Sequence, residues 1–170
     1  MSAGRGPAYG EVVAGKTAGL PEGADWQSIQ PFLSRELIRR IATARACQDD
    51  LDRRQAKASK DKPPLAWIDS GLFSGESEES APDEAVVGRV ERSGNASYRV
   101  YVRLTWRHQN DSSRWSVCAI VTSEDGRYVI DDVLFFKDDE RMIPTVVHRS
   151  LSPLLSLGCD GPRWTGQGLR

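Results

Sequence analysis

The chain predicts an α+β fold: N-terminal helices packed on a curved antiparallel sheet of about four strands, with a short C-terminal helix. Three observations carry that expectation. Apolar residues recur at helical spacing between Asp25 and Arg54. Residues 97–107 alternate strictly between two kinds of side chain, as a strand with two unlike faces must. The dipeptide Asp125-Gly126 lies between two apolar runs, and a two-residue type I′ turn needs the positive φ angles that Asp followed by Gly best tolerate.

A length of 170 residues suits one domain with a real core. Residues 1–18 are rich in Gly and Ala and read as a flexible or short-helical terminus, with Glu11 to Lys16 as the helical candidate. Residues 19–164 read as a single domain and 165–170 as a frayed tail. Asp25 can cap a short first helix through Gln30, and Pro31 fits the start of the next. Leu33, Leu37, Ile41, Ala44 and Leu51 then form one apolar stripe, with Cys47 beside it. Arg35, Arg39, Arg40, Arg45, Arg53 and Arg54 fall mostly off the stripe. With Glu36 and Asp49 to Asp52 nearby, they read as a solvated face rather than as an anion site.

Ala56 to Pro64 reads as a loop. Trp67, Ile68, Leu72 and Phe73 read as anchors of the following segment to the core. The dense carboxylates between Ser74 and Glu84 lack the spacing and turn glycine of a calcium-binding EF-hand, and read as an exposed acidic loop. Four strands follow at 85–92, 97–107, 115–123 and 128–136, joined by short connections that favour antiparallel neighbours. In the second, Tyr98, Val100, Val102, Leu104 and Trp106 share one face, and Arg99, Tyr101, Arg103, Thr105 and Arg107 the other. Lys137 to Pro144 reads as a charged linker, and a short helix is expected around 150–157, ended by Gly158 and Gly161-Pro162.

With Asp125-Gly126 as the loop, Glu124 faces Arg127, Ser123 faces Tyr128, and Val121 faces Ile130. Continued outward, the same register sets Ala119 against Asp132, Val117 against Leu134 and Trp115 against Phe136. The face carrying Trp115, Val117, Ala119, Val121, Tyr128, Ile130, Leu134 and Phe136 is the more apolar and is assigned to the core. Asp132 then stands among apolar neighbours, where a carboxylate needs a partner; an Arg or backbone partner that orders the sheet is the favoured reading, and a catalytic acid or base the other. A slip of one residue would exchange the roles of Asp131 and Asp132.

A formal charge of −1 and a pI near 6.1 give no reason to propose nucleic-acid binding. No apolar run approaches the roughly 20 residues of a membrane span. The first ten residues lack the apolar stretch of a signal peptide, so the expectation is either a cytoplasmic protein, if the chain as given is complete, or one whose signal is absent from this sequence. Cys47, Cys118 and Cys159 are too far apart for metal-ligand spacing. Their odd number allows at most one internal disulfide, and packed free thiols are the expected state. His108 and His148 read as separate surface histidines. No motif for a metal, a cofactor, or a serine or cysteine nucleophile stands out.

Several segments, in order, resemble a bacterial domain family of unknown function with a nuclear-transport-factor-2-like (cystatin-like) cone fold. They are Gly19-Leu20-Pro21, Pro31-Phe32-Leu33-Ser34-Arg35-Glu36-Leu37, Pro63-Pro64, Asp69-Ser70-Gly71-Leu72-Phe73-Ser74 and Gly126-Arg127-Tyr128-Val129-Ile130-Asp131-Asp132-Val133. The resemblance covers about residues 19–136. It implies a cone-like sheet and a location in the periplasm or cell envelope. Members commonly carry a signal peptide and a longer first helix, and this chain departs from both. Some proteins of similar shape are immunity proteins that bind a toxin. Cones of this kind often pair through the outer sheet face, so a homodimer with Arg99, Tyr101, Arg103 and Thr105 near the contact is a further expectation.

Two functions follow from these readings. The first is a non-enzymatic binding module that holds a protein partner or a small apolar ligand at the sheet or its mouth. The second is a small cone-fold enzyme, of isomerase or dehydratase type, with Asp132 as general acid or base. Tyr98, Trp106, Trp115, Tyr128 and Asp132 are the pocket candidates; an enclosed pocket at Asp132 would favour the enzyme, and a filled cone with a flat exposed apolar patch the binding module.

Overall fold

The computed structural model describes residues 19–55, 71–75, 82–138 and 144–156. Apart from β5, its elements follow the expected order: α1 (Gly23–Ile29), a 3₁₀ turn (Gln30–Phe32), α2 (Arg35–Gln55), β1 (Glu84–Arg92), β2 (Ser97–His108), β3 (Asp111–Glu124), β4 (Arg127–Asp138), β5 (Pro144–Ser150) and α3 (Leu151–Ser156). The strands form one antiparallel sheet in the order β1-β2-β3-β4-β5. Expectations for residues 1–18, Ala56 to Pro64, Trp67, Ile68, most of the acidic loop, Cys159 and the C-terminal tail fall outside the described residues.

The apolar stripe of α2 forms the lid of the core. Leu33, Leu37, Ile41, Ala44 and Cys47 are buried against Val100, Val102, Leu104, Val117, Ala119, Val121, Ile130 and Val133. The off-stripe side behaves as a solvated face: Glu36 pairs with Arg39 at 2.7 Å and Arg40 at 2.8 Å. The hydrogen bond from Arg39, assisted by Arg40, pulls the Glu36 carboxyl down to about 2. Arg45 differs from its neighbours. Its guanidinium lies 5.3 Å from the Trp26 ring centroid and donates to the Pro21 carbonyl, tying α1 to α2.

Helix α2 starts later than Pro31. Pro31 sits in the 3₁₀ turn, and the buried Ser34 caps α2 by accepting from the Leu37 N–H at 3.0 Å. The Ser34 N–H donates to the Ile130 carbonyl at 2.8 Å, and Leu33 bridges to the same residue of β4. One residue on, the Arg35 N–H donates to Glu124 Oε2 at 3.2 Å and its side chain pairs with Asp125. The helix start is thereby stitched to the hairpin turn.

That turn forms as expected, with φ of 50° at Asp125 and 75° at Gly126. Glu124, Ser123 and Val121 pair with Arg127, Tyr128 and Ile130. Beyond them the register changes: Ile120 pairs with Asp132, leaving Asp131 as the extra residue of a β-bulge. Ala119 therefore faces Val133 and Val117 faces Phe135, not Asp132 and Leu134. Val133 and Phe135 enter the core, whereas Leu134 and Phe136 are half-buried and Tyr128 is 53% exposed. The core assignment of Tyr128, Leu134 and Phe136 is corrected accordingly.

Two further differences concern strand ends. Gln109-Asn110 is a two-residue turn, so β3 begins at Asp111 rather than near Trp115. Pro144–Ser150 is a fifth strand, part of which was expected as linker. Its Thr145-Val146-Val147 run is β-branched, and proline is acceptable at the first residue of an edge strand. Gly75, at φ 77°, lies under Phe135, whose Cδ1 would stand 2.5 Å from an added Cβ, so only glycine fits there. Among the described residues no helix is long and apolar enough to cross a membrane.

Ser34→Ala is expected to destabilise the protein by about 1 kcal/mol, the usual scale of a lost helix cap. Chemical denaturation checks this, and an unchanged midpoint would show that the cap contributes nothing.

Candidate functional site

The residues expected to share a pocket are dispersed. Tyr98 and Trp106 stand on one face of β2 but eight residues apart, about 26 Å at the usual strand rise. Buried Val100, Val102 and Leu104 fill the interval. At one end Tyr98 packs edge-to-face on Tyr128, with centroids 5.5 Å apart. At the other, Trp106 stacks on exposed His108 at 5.9 Å, and the Trp115 indole donates to the Ser74 carbonyl at 2.9 Å. The two tyrosines come together; the two tryptophans each take a partner of their own.

Asp132 sits at neither aromatic cluster. Its Oδ1 accepts from the Val133 N–H and from the Ser152 N–H, both at 2.9 Å. Ser152 is the second residue of α3, so Asp132 caps that helix from the adjacent strand. The bulge at Asp131 makes this reach possible by turning Asp132 out of the register that would have set it against Ala119.

The opposite face of the sheet carries a different set of residues. Pairing sets Arg99 against Ile120, Tyr101 against Cys118, Arg103 against Ser116 and Thr105 against Arg114. Tyr101 stacks on Phe136 with centroids 6.0 Å apart and rings inclined by 25°. The Arg89 guanidinium lies 4.6 Å from the Tyr101 centroid, and its Nε is 3.0 Å from Glu91 Oε1. The Tyr101 hydroxyl donates to Glu91 Oε2 at 3.1 Å. This arginine-aromatic stack crosses from β1 to β4 and leaves Cys118, on the strand between, with no exposed surface.

Charge on this face is uneven. Arg89 is neutralised by Glu91, and Arg107 by Glu84 at 2.6 Å. Arg99, Arg103 and Arg114 are exposed and have no ion-pair partner among the described residues. Arginines with no ion pair among the described residues are thus spread along β2 and β3 beside a flat aromatic stack, on a chain whose formal charge is −1. Alternation in β2 revealed Arg99, Tyr101 and Arg103. The contributions of Arg89, Arg114 and Phe136 needed the pairing of strands and the bulge. Among the described residues, no group of three or more His, Cys, Asp or Glu side chains is placed to hold a metal ion.

The two cysteines among the described residues are in different states. Cys118 is a free thiol, pushed up to about 11 chiefly by burial, with Arg99 opposing the shift. Cys47 is disulfide-bonded, contrary to the expectation of packed free thiols.

Comparison of the chain with family models, curated proteins and solved structures found no match.

Two outcomes are expected here. Asp132→Ala should cost about 1 kcal/mol through loss of the α3 cap, while Asp132→Asn, which keeps an acceptor oxygen, should cost less. Equal midpoints for all three proteins in urea would remove the capping role. The raised thiol pKa of Cys118 favours the protonated folded state, so its contribution is complete below the ordinary thiol value of 9.0 and is lost as pH rises through about 11. Melting temperatures measured across that alkaline range should fall less steeply for Cys118→Ala than for the parent, and parallel curves would contradict the assignment.

Proposed function

We propose that this chain is a non-enzymatic binding module of the nuclear-transport-factor-2-like kind, which holds an acidic protein partner against the open face of its sheet. The observation that carries this reading is the placement of Arg99, Arg103 and Arg114, with no ion pair among the described residues, on the same face as the Arg89-Tyr101-Phe136 stack. Exposed cations steer an acidic surface towards the face, and stacked aromatics offer contact area that loses little entropy on binding. The α+β order, helices first and meander after, supports the family reading. An immunity-type role, with a toxin as the acidic partner, is one form of the same proposal.

The disulfide at Cys47 supports a location in the periplasm or cell envelope, since such bonds persist in oxidising compartments. The two backbone hydrogen bonds accepted by Asp132 support a structural role for the residue that would otherwise anchor a catalytic reading.

The test is retention of envelope proteins on the immobilised chain, compared with an Arg103→Glu/Arg114→Glu variant. Both residues are exposed, so the variant should keep the parent's melting temperature. The parent is expected to retain an acidic protein at low salt and to release it as salt rises, and the variant should not retain it. Equal retention by parent and variant would place the binding surface elsewhere.

A further inference from the structure

Strand β1 ends the sheet, and it is apolar where an edge strand is usually guarded. Val86, Val87 and Val90 are 51%, 48% and 56% exposed. Among the described residues no strand pairs with its outer side, so alternate backbone N–H and C=O groups along it are open to another strand. Its charges do not repel a like strand, because Glu84 and Glu91 balance Arg89 and Arg92.

A β-bulge decides how the valines point. Val87 pairs with Val102 and Val90 with Val100, so three steps on β1 match two on β2. In a regular strand, residues three apart face opposite sides. Here the extra residue brings Val87 and Val90 onto the same, helix-bearing face, as neighbours of core Val102 and Val100. The core's apolar surface therefore runs on past β2 and stops at an uncovered pair of valines.

We infer that β1 is a self-association edge, on which a second copy of this chain adds its own β1 antiparallel about a two-fold axis between Gly88 and Arg89. In that register Val87 of one copy stands opposite Val90 of the other, and the reverse pair follows by symmetry. The bulge makes the faces agree: a copy carries the same offset, so helix-side residues meet helix-side residues through the whole strand. A regular foreign strand lacks that offset and would match the face on one side of the bulge only. The four valines close into one patch, flanked by Ala85 opposite Arg92. Arg92 already donates to the Gly94 and Asn95 carbonyls, so its head group needs no new partner. This contact uses the edge and leaves the arginine-aromatic face open, and it stands independently of the function proposed above.

Sedimentation velocity over a range of protein concentrations gives the first reading. A monomer–dimer equilibrium is expected, and a Val87→Lys/Val90→Lys variant with an unaltered circular dichroism spectrum should be monomeric. Cysteine pairing then tests the register. Opposed strand residues lie about 5 Å apart, within disulfide reach, whereas Val87 and its own symmetry mate are offset by about 10 Å along the strand. Mixed Val87→Cys and Val90→Cys proteins should cross-link on mild oxidation far faster than either alone. A monomer at every concentration, a dimer indifferent to the lysine substitutions, a series of oligomers that keeps growing through β1-to-β5 pairing, or equal cross-linking of single variants would each overturn the inference.

Discussion

The fold depends on one junction, where the chain entering α2 is bonded to the middle strands of the sheet. Ser34 is buried there and works in two directions. Its hydroxyl caps the helix through the Leu37 N–H, and its own N–H bonds the Ile130 carbonyl. A buried N–H or hydroxyl without a partner costs about 1–3 kcal/mol, so the position is strongly specified. With Leu33 bridged to Ile130 and Arg35 held at the turn by Glu124 and Asp125, the helix has one place to begin and one direction to run. Leu37 and Ile41 then enter the same buried core as Val102, Val117 and Val133.

The second constraint is the bulge at Asp131. A strand has two faces, and one inserted residue exchanges them beyond the insertion. Before the bulge β4 offers Ile130 to the core; after it, β4 offers Val133 and Phe135. Phe136 is released to the outer face, where it stacks on Tyr101 and helps cover Cys118. Asp132 is freed from an apolar position and caps α3. The aromatic stack on one side and the last helix on the other thus follow from a single extra residue. A second bulge, in β1, has the converse effect of gathering two valines on one face at a border that nothing in the described chain covers.

Much of the architecture was legible because it rests on local chemistry. The stripe from Leu33 to Cys47 needs only helical periodicity, the Asp125-Gly126 turn needs only backbone strain, and the outward row Arg99, Tyr101, Arg103 needs only the alternation of a strand. The pocket drawn from Tyr98, Trp106, Trp115, Tyr128 and Asp132 was not legible in the same way. It assumed a regular ladder and a common location, yet Tyr98 and Trp106 lie at opposite ends of a long strand. The disulfide at Cys47 was equally beyond reach, since three widely separated cysteines carry no pairing information.

The sequence by itself determined the order of helices and strands, the turn at Asp125-Gly126, the buried face of α2 and the two faces of β2. Those properties come from residues near one another in the chain, whose spacing sets which way each side chain points. Only the tertiary structure decided where β4 gains its extra residue, what Asp132 bonds, which aromatic rings stack and which valines remain uncovered. A bulge costs little locally and is chosen by how two strands, a helix start and a helix cap fit at once, so no short stretch of sequence contains the decision.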